Sequence, residues 1–269
     1  MITRNSICTV FASLLLIGSG VRADDTKPVT APKAAPAVEF SIRTSPYRPM
    51  AGGSAALTAT IKAPDANKKR ALTGLFFVRE DLGQLIFNAP VRKDDNTFEN
   101  PVVLPSGGEW RVFGSVVTEV DEDKGETAET IVGPVKMAID GARPVREALI
   151  PQVVPTVRVN AYTITLKQPT RIAAGTDQQL VFTLQDAQLQ QVSDTDIWRD
   201  ALAHLVLVDK DTKTLIHSTP DPTDPRTGRT GTLVFPARFP KEGLWRGWVL
   251  FQRTGQVYTM PLVFRVLSR

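Results

Sequence analysis

Short runs of apolar residues, some alternating with polar ones, recur along the chain and predict strands. They are rich in β-branched and aromatic residues and are bounded by Gly, Pro or Asp, as is typical of strands. In the second half these runs cover residues 162–166, 179–184, 205–208, 244–251 and 262–266. Helical periodicity is hard to find, and the polar insertion at residues 186–200 has room for one helical turn at most. The pattern predicts an all-β protein.

The second half of the chain repeats the first. Residues 70–90 align without a gap on residues 200–220, and residues 96–111 align on residues 231–246. Each copy then has roughly 100 residues, a normal size for one domain with its own core. About seven short strands in a domain of this size favour a sheet sandwich. We therefore predict two tandem immunoglobulin-like antiparallel β-sandwich domains.

The segments outside the repeats set the domain boundaries. The first residues carry Arg4, a short apolar run and then small side chains, which is the pattern of a cleaved export signal. The apolar run is too short to span a bilayer, so we expect no stable membrane span after cleavage. A stretch rich in Pro and Ala then predicts a flexible tether. The predicted boundaries are residues 1–23 for the signal peptide, 24–37 for the tether, 38–140 for the first sandwich, 141–157 for a linker and 158–269 for the second sandwich.

Charge and cysteine content act by exclusion. The net charge is +4, and Arg4 and Arg22 leave with the signal. No basic stripe remains, so nucleic-acid binding is not expected. The single cysteine, Cys8, also lies in the signal, so the exported protein has no disulfide and core packing must hold each domain together. We expect a periplasmic or extracellular protein whose partner is an unknown envelope or extracellular protein.

The two histidines of the chain fall on one predicted hairpin. If its turn centres on Lys210 and Asp211, then His204 lies directly opposite His217, on the same face and with Cβ atoms about 5 Å apart. Such a pair can offer two nitrogens to one copper or zinc ion. A third ligand would have to come from elsewhere, with Asp221, Asp224 and Met260 as candidates.

The repeat supplies an alternative for these histidines. Gly74 and Phe87 hold the same positions in the first copy. There the aromatic ring would cover the glycine across a strand pair, which is a packing arrangement. His204 and His217 could equally be a structural pair without a metal.

Residues 203–209, 216–220 and 239–246 together resemble exported Ig-like domains of the YtkA-like kind. His204 and His217 match the first two histidines of that pattern, and Pro220 and Gly243 match its proline and corner glycine. Thr219 stands where the third histidine would be. The resemblance covers residues 201–266 and, without the histidines, residues 71–139. It implies an exported β-sandwich, and relatives of this type include copper-handling periplasmic proteins.

Two further features bear on binding. Residues 218–231 form a long, proline-containing connection between strands, and long loops are more often recognition surfaces than simple connectors. Trp110 and Trp245 recur in both copies and are expected in the cores. Trp248 lies on the opposite face from Trp245, so it is either exposed or at an inter-domain contact. A carbohydrate-binding platform would require it to be exposed.

Enzymatic motifs are absent from the sequence. It has no Gly-x-Ser-x-Gly elbow, phosphate-binding glycine loop, His-Glu-x-x-His motif or dinucleotide fingerprint. We expect an exported, non-catalytic binding or scaffold protein of the cell envelope without a cofactor. The alternatives are a copper-type metal-handling module that uses His204 and His217, and a carbohydrate-binding accessory domain.

Overall fold

The computed structural model describes residues 38–63, 69–121, 126–228 and 231–269. These residues form strands, turns and loops, and no helix occurs among them. The insertion at residues 186–200 therefore has no helical turn and contains turns and isolated bridges instead. The predicted signal peptide and tether, residues 1–37, lie outside the described residues. No described helix is long and apolar enough to cross a bilayer.

The first sandwich has eight strands within the described residues. They are β1 Glu39–Ser45, β2 Ser54–Lys62, β3 Arg70–Arg79, β4 Leu85–Asn88, β5 Val91–Arg92, β6 Thr97–Val103, β7 Gly108–Asp121 and β8 Glu126–Ile139. One sheet has the order β1-β2-β6-β5 and the other has the order β4-β3-β7-β8. All pairs within the two sheets are antiparallel.

The second sandwich has nine strands within the described residues. They are β9 Thr156–Val159, β10 Tyr162–Gln168, β11 Ile172–Ala173, β12 Asp177–Gln185, β13 His204–Asp209, β14 Leu215–Ser218, β15 Thr232–Arg238, β16 Gly243–Arg253 and β17 Gln256–Leu267. The sheets have the orders β15-β12-β10-β9 and β11-β17-β16-β13-β14. Only β11 and β17 pair in parallel among these strands. Strand β9 begins inside the predicted linker. The fold is two tandem immunoglobulin-like sandwiches, as predicted.

Each sandwich encloses its own apolar core. Trp110 on β7 and Trp245 on β16 are fully buried there. The indole N–H of Trp110 donates to the carbonyl of Ser106 at 3.2 Å, and that of Trp245 donates to the carbonyl of Lys241 at 3.3 Å. A buried tryptophan needs such an acceptor because an unpaired N–H is costly in an apolar core. Both tryptophans are core residues as predicted, and the repeat extends to their hydrogen bonds.

A third apolar cluster lies between the two sandwiches. It forms where sheet β4-β3-β7-β8 meets sheet β11-β17-β16-β13-β14, which is its counterpart in the second copy. Its buried members are Phe76, Val78, Leu82, Phe87, Phe113, Val206, Val208, Leu215, Trp248 and Leu250. Phe76 and Val206 hold equivalent repeat positions, as do Phe113 and Trp248. The two copies therefore pack through the same face, and the described residues of both sandwiches belong to one compact unit.

Candidate functional site

The histidine hairpin has a different register from the predicted one. His217 pairs with Val206, and Leu215 pairs with Val208. His204 is therefore diagonal to His217, two positions from the direct pairing that a turn at Lys210 and Asp211 required. The prediction of directly opposite histidines was wrong, although both side chains do lie on one face of the sheet, where their ring centroids are 5.3 Å apart.

The turn explains the shift in register. The Asp209 carboxylate accepts hydrogen bonds from the backbone N–H groups of Lys213 at 2.8 Å and Thr214 at 2.6 Å. Lys241 donates to the other carboxylate oxygen at 2.6 Å. Asp209 is buried, so these bonds compensate its loss of hydration. The carboxylate thereby holds a longer loop than the two-residue turn that the alternating pattern indicated.

The first copy has the same register with different side chains. Phe87 pairs with Phe76, so it too is diagonal to Gly74. Its ring still covers the glycine, because a Cβ atom added to Gly74 would lie 2.6 Å from Phe87 Cε2. The predicted packing of an aromatic ring on a glycine is therefore present. It does not depend on direct pairing.

The two histidines belong to a hydrogen-bonded chain that joins the sandwiches. His204 Nε2 lies 3.0 Å from the carbonyl oxygen of Trp198, and His204 Nδ1 lies 3.0 Å from His217 Nε2. His217 Nδ1 lies 2.8 Å from Oε1 of Glu129, on β8 of the first sandwich. The same oxygen of Glu129 accepts a hydrogen bond from Ser115 at 2.5 Å. A polar link therefore crosses the apolar contact between the copies.

The carbonyl of Trp198 fixes the order of donors along this chain. A carbonyl oxygen can only accept, so His204 Nε2 carries a hydrogen and donates it to Trp198. In a neutral His204, Nδ1 then accepts from the Nε2–H of His217. With this arrangement every ring nitrogen of both histidines has a partner.

Burial shifts the pKa values of the titratable groups in this hydrogen-bonded chain. Burial lowers the pKa of His204 to about 4, with further lowering from the nearby charges of His217 and Arg199, so the ring is neutral at pH 7. Burial alone would raise the pKa of Glu129, but interactions with His217 and a hydrogen bond from Ser115 hold it below its ordinary value. Glu129 is thus a carboxylate at neutral pH.

Aromatic rings surround the histidines on the first-sandwich side. The ring of Phe76 lies 5.1 Å from that of His217, and the ring of Phe87 lies 5.2 Å from that of His204. Trp198 contacts both Phe87 and His204, and the Arg199 guanidinium lies 4.9 Å from the centre of the Phe87 ring. The polar insertion of the second copy therefore brings Trp198 and Arg199 to the contact between the sandwiches.

A metal ion at this pair would have to replace existing hydrogen bonds. Among the described residues, no group of three or more His, Cys, Asp or Glu side chains could hold a metal ion. Of the candidate third ligands, Met260 is buried in the second core, and Asp221 and Asp224 are hydrogen-bonded within their own loop. Copper or zinc binding by His204 and His217 stays a prediction.

Trp248 is 2% exposed and belongs to the cluster between the sandwiches. Of the two places predicted for it, the structure has the inter-domain contact. The carbohydrate-binding alternative required an exposed ring at this position, and that requirement is not met. Trp248 contributes to joining the two domains.

The long connection after β14 is held by its own side chains. Asp221 accepts hydrogen bonds from both the backbone N–H and the hydroxyl of Thr223, at 2.8 and 2.6 Å. Arg226 binds both oxygens of Asp224, at 2.9 and 2.6 Å, and also donates to Gln179 on β12 at 2.7 Å. The hydrogen bonds from Arg226 lower the pKa of Asp224 to about 2. This loop, within residues 218–228, presents an ordered surface of turns.

Sequence reasoning missed Glu129 and Trp198. Glu129 lies 88 residues from His217 along the chain, and the two meet only because the sandwiches dock face to face. Trp198 lies in a connection that is longer than the equivalent connection of the first copy. The available signal was the apolar outer face shared by the two repeats, at Phe76, Val206 and Trp248, which indicates that equivalent sheets pack together.

Comparisons with known proteins concern the fold. A family model described as a domain of unknown function, DUF8832, matches residues 157–268, which is the second sandwich. No curated protein matches the chain. The YtkA-like resemblance therefore stays a prediction.

Three of the solved structures that are similar to this chain have the following identity, TM-score and coverage. The Escherichia coli adhesin FdeC is 16% identical, with a TM-score of 0.27 over 86% of this chain and 66% of that one. A DUF4785 family protein from Legionella pneumophila is 13% identical, with a TM-score of 0.31 over 83% of this chain and 55% of that one. Domains 5-6 of the S-layer protein SbsC are 14% identical, with a TM-score of 0.24 over 87% of this chain and 99% of that one. The chain thus spans less than two thirds of the length of the first two proteins, and no activity is carried over from any of them.

Proposed function

We propose that the protein is an exported, non-catalytic binding or scaffold module of the cell envelope, working in the periplasm or outside the cell. The observation that supports this proposal most is the buried cluster between the sandwiches, which makes one unit of two domains. A fixed pair of domains presents its loops in a constant relative orientation, so little ordering is needed when a partner binds.

Recognition is assigned in this proposal to the loop of residues 218–231 in the second sandwich. Its described part is ordered before any partner arrives, because Asp221 and Asp224 fix its turns. Pro222 and Pro225 are exposed and further limit its backbone freedom. A preordered loop on a rigid sandwich is a common way to build a binding surface.

The absence of catalysis is part of the same proposal. His204, His217 and Glu129 are titratable groups in close contact. Their polar atoms are hydrogen-bonded to each other, to Ser115 and to the carbonyl of Trp198. His204 is also 2% exposed, so a substrate has no direct access to it. The geometry favours a structural link over a nucleophile and base.

The binding proposal is tested with a photoreactive residue at Pro222, introduced into the exported protein in its own cells. The control carries the same residue at Asp95, in the corresponding connection of the first sandwich. We expect one partner to be crosslinked from Pro222 and not from Asp95. The purified partner should then bind an Asp224→Ala, Arg226→Ala variant at least about ten-fold more weakly, because the loop loses its internal ion pair. Equal crosslinking from both positions, or unchanged affinity, would contradict the assignment.

The metal-handling alternative is tested by calorimetry with copper and zinc on the chain without residues 1–23. The matched variant is His204→Gly, His217→Phe, which restores the side chains of the first copy. Because all four ring nitrogens are already bonded, we expect no binding of micromolar or tighter affinity. Micromolar binding that the variant loses would establish the metal role instead.

A further inference from the structure

The equivalent strands β1 and β10 of the two sandwiches differ in their pairing partners. In the second sandwich β10 pairs with β12 on one side and with β9 on the other. In the first sandwich β1 pairs with β2, and no other described strand pairs with its outer edge. Within the described residues, β1 therefore has one edge whose backbone groups are open to a further strand.

The core-facing side chains of β1 are also less covered than those of β10. Phe40 and Ile42 on β1 correspond to Ile164 and Leu166 on β10, because they pair with equivalent residues of β2 and β12. Ile164 and Leu166 are 0% and 4% exposed, whereas Phe40 and Ile42 are only half-buried. Two valines of β9 pack against the second core, and the described part of the first sandwich has no counterpart to them.

A groove of about 520 Å³ lies beside β1, between the edges of the two sheets. Its walls include Ile42, Arg43, Tyr47, Arg48, Lys136 and Met137. The corresponding groove of the second sandwich, of about 430 Å³, is lined on one side by the part of the chain that leads into β9, Pro151 to Pro155. Leu166 donates its backbone N–H to the carbonyl of Pro155 at 2.9 Å. In the second copy, then, the preceding segment of the same chain already lies along this groove.

The groove of the first copy carries an excess of positive charge. Arg43, Arg48 and Lys136 line it together with one acidic residue, Glu109. Arg48 forms an ion pair with Asp140 at 2.9 Å. Of the remaining charged residues that line the groove, Arg43 and Lys136 are positive and Glu109 is negative. Arg43 and Lys136 are exposed, as is Tyr47, whose exposed fraction is 87%. An acidic ligand complements this surface.

We propose that the groove beside β1 binds an extended segment of a partner protein in which apolar and acidic residues alternate. The segment adds antiparallel to β1, as β9 adds to β10. Since side chains of a strand alternate between faces, its apolar residues cover Phe40 and Ile42 while its acidic residues lie on the outer face beside Arg43. This second surface goes beyond the loop-mediated binding proposed above and is independent of it.

The probe is a synthetic peptide of four Val-Glu repeats, added to the chain without residues 1–23. We expect it to bind in calorimetry and to slow hydrogen exchange of the β1 amides. A peptide with Lys in place of Glu, and one with proline at its centre, should each bind at least about ten-fold more weakly, because one reverses the charge and the other removes a ladder hydrogen bond. If the β1 amides exchange at the same rate with and without the Val-Glu peptide, the proposal is overturned.

A matched pair of variants locates the site. Arg43→Glu changes an exposed residue of β1. Lys167→Glu changes an exposed residue of β10, the strand that pairs with β9 at residues 162–165. Arg43→Glu should weaken peptide binding about ten-fold, whereas Lys167→Glu should leave it unchanged. Circular dichroism checks that both variants are folded. Equal effects of the two changes, or a dimer in light scattering that protects β1 without peptide, would overturn the proposal, since the latter outcome makes a second copy the occupant.

Discussion

The β3–β4 hairpin of the first sandwich carries Gly74 and Phe87 at the positions where the β13–β14 hairpin of the second carries His204 and His217. Both hairpins have the same register, in which the two positions are diagonal to each other across the strand pair. The hairpins meet in one contact between the sandwiches. The first copy fills its positions by packing, whereas the second fills them with polar rings that must all be hydrogen-bonded. One backbone arrangement thus supports an apolar and a polar solution, and the polar one requires Glu129 from the other domain.

Removing the ring from the apolar hairpin should have the largest effect. Phe87→Ala leaves a cavity beside Phe76, Trp198 and both histidines, and we expect the free energy of unfolding to fall by about 3–4 kcal/mol. Urea denaturation measures the change. Val91→Ala, an exposed position in the next strand, is the control and should cost less than about 0.5 kcal/mol. A loss for Phe87→Ala as small as that of the control would mean that the contact contributes little.

Acidification should destabilise the polar hairpin next most strongly. The unfolded chain protonates its histidines near pH 6.5, but folded His204 stays neutral until about pH 4. The free energy of unfolding therefore falls as pH drops from about 6.5 to 4, by on the order of 3 kcal/mol for a shift of this size. Glu129 acts in the same direction, because its pKa is lowered in the folded state and its contribution is lost as pH falls.

The control for this pH dependence is the His204→Gly, His217→Phe variant, followed by urea denaturation at each pH. It lacks both imidazoles, so the histidine part of the slope between pH 6.5 and 4 should disappear. An unchanged slope would show that other groups cause the loss of stability.

A methyl group at Gly74 tests how tightly the apolar hairpin is packed. Gly74→Ala places Cβ 2.6 Å from the Phe87 ring, which is stacked on Phe76 at a centroid distance of 4.5 Å and cannot move freely. We expect a destabilisation of about 2 kcal/mol. In the Phe87→Ala background the same change should cost little, and the double-mutant cycle of unfolding free energies measures this coupling. Additive costs would contradict a direct clash.

The polar link between the sandwiches should have the smallest effect. Glu129→Gln keeps the shape but replaces the charged acceptor of His217 and Ser115, so we expect a loss of about 1 kcal/mol at pH 7. Glu99→Gln, which removes an exposed ion pair with Lys93, should cost less than about 0.5 kcal/mol. A gain in stability for Glu129→Gln would show that burying the carboxylate outweighs its hydrogen bonds.

Much of the fold could be predicted from the sequence because the repeat and the strand pattern are local properties. The strands around Phe182, Val206 and Val249 follow from alternating or continuous apolar runs. The hairpin register could not be obtained in this way, since it depends on the buried Asp209 carboxylate holding the longer loop. A shift of two positions also preserves the face of each side chain, so the apolar pattern does not distinguish the two registers.

The site was less predictable than the fold. The sequence places His204 and His217 on one face, but their partner Glu129 belongs to the other domain and Trp198 to an insertion. Both contacts depend on how the sandwiches dock. The apolar outer face at Phe76, Val206 and Trp248 indicates that equivalent sheets pack together, but it does not identify which polar side chains meet there.

The packing of the copies through equivalent faces has a consequence for their assembly. A contact of the same surface with itself is what a symmetric homodimer of one sandwich would bury. Joining the two halves in one chain turns that association into an intramolecular step, at an effective concentration that dilution cannot lower. Either half is then free to change its side chains while the other continues to hold the pair, as Gly74 and His204 illustrate.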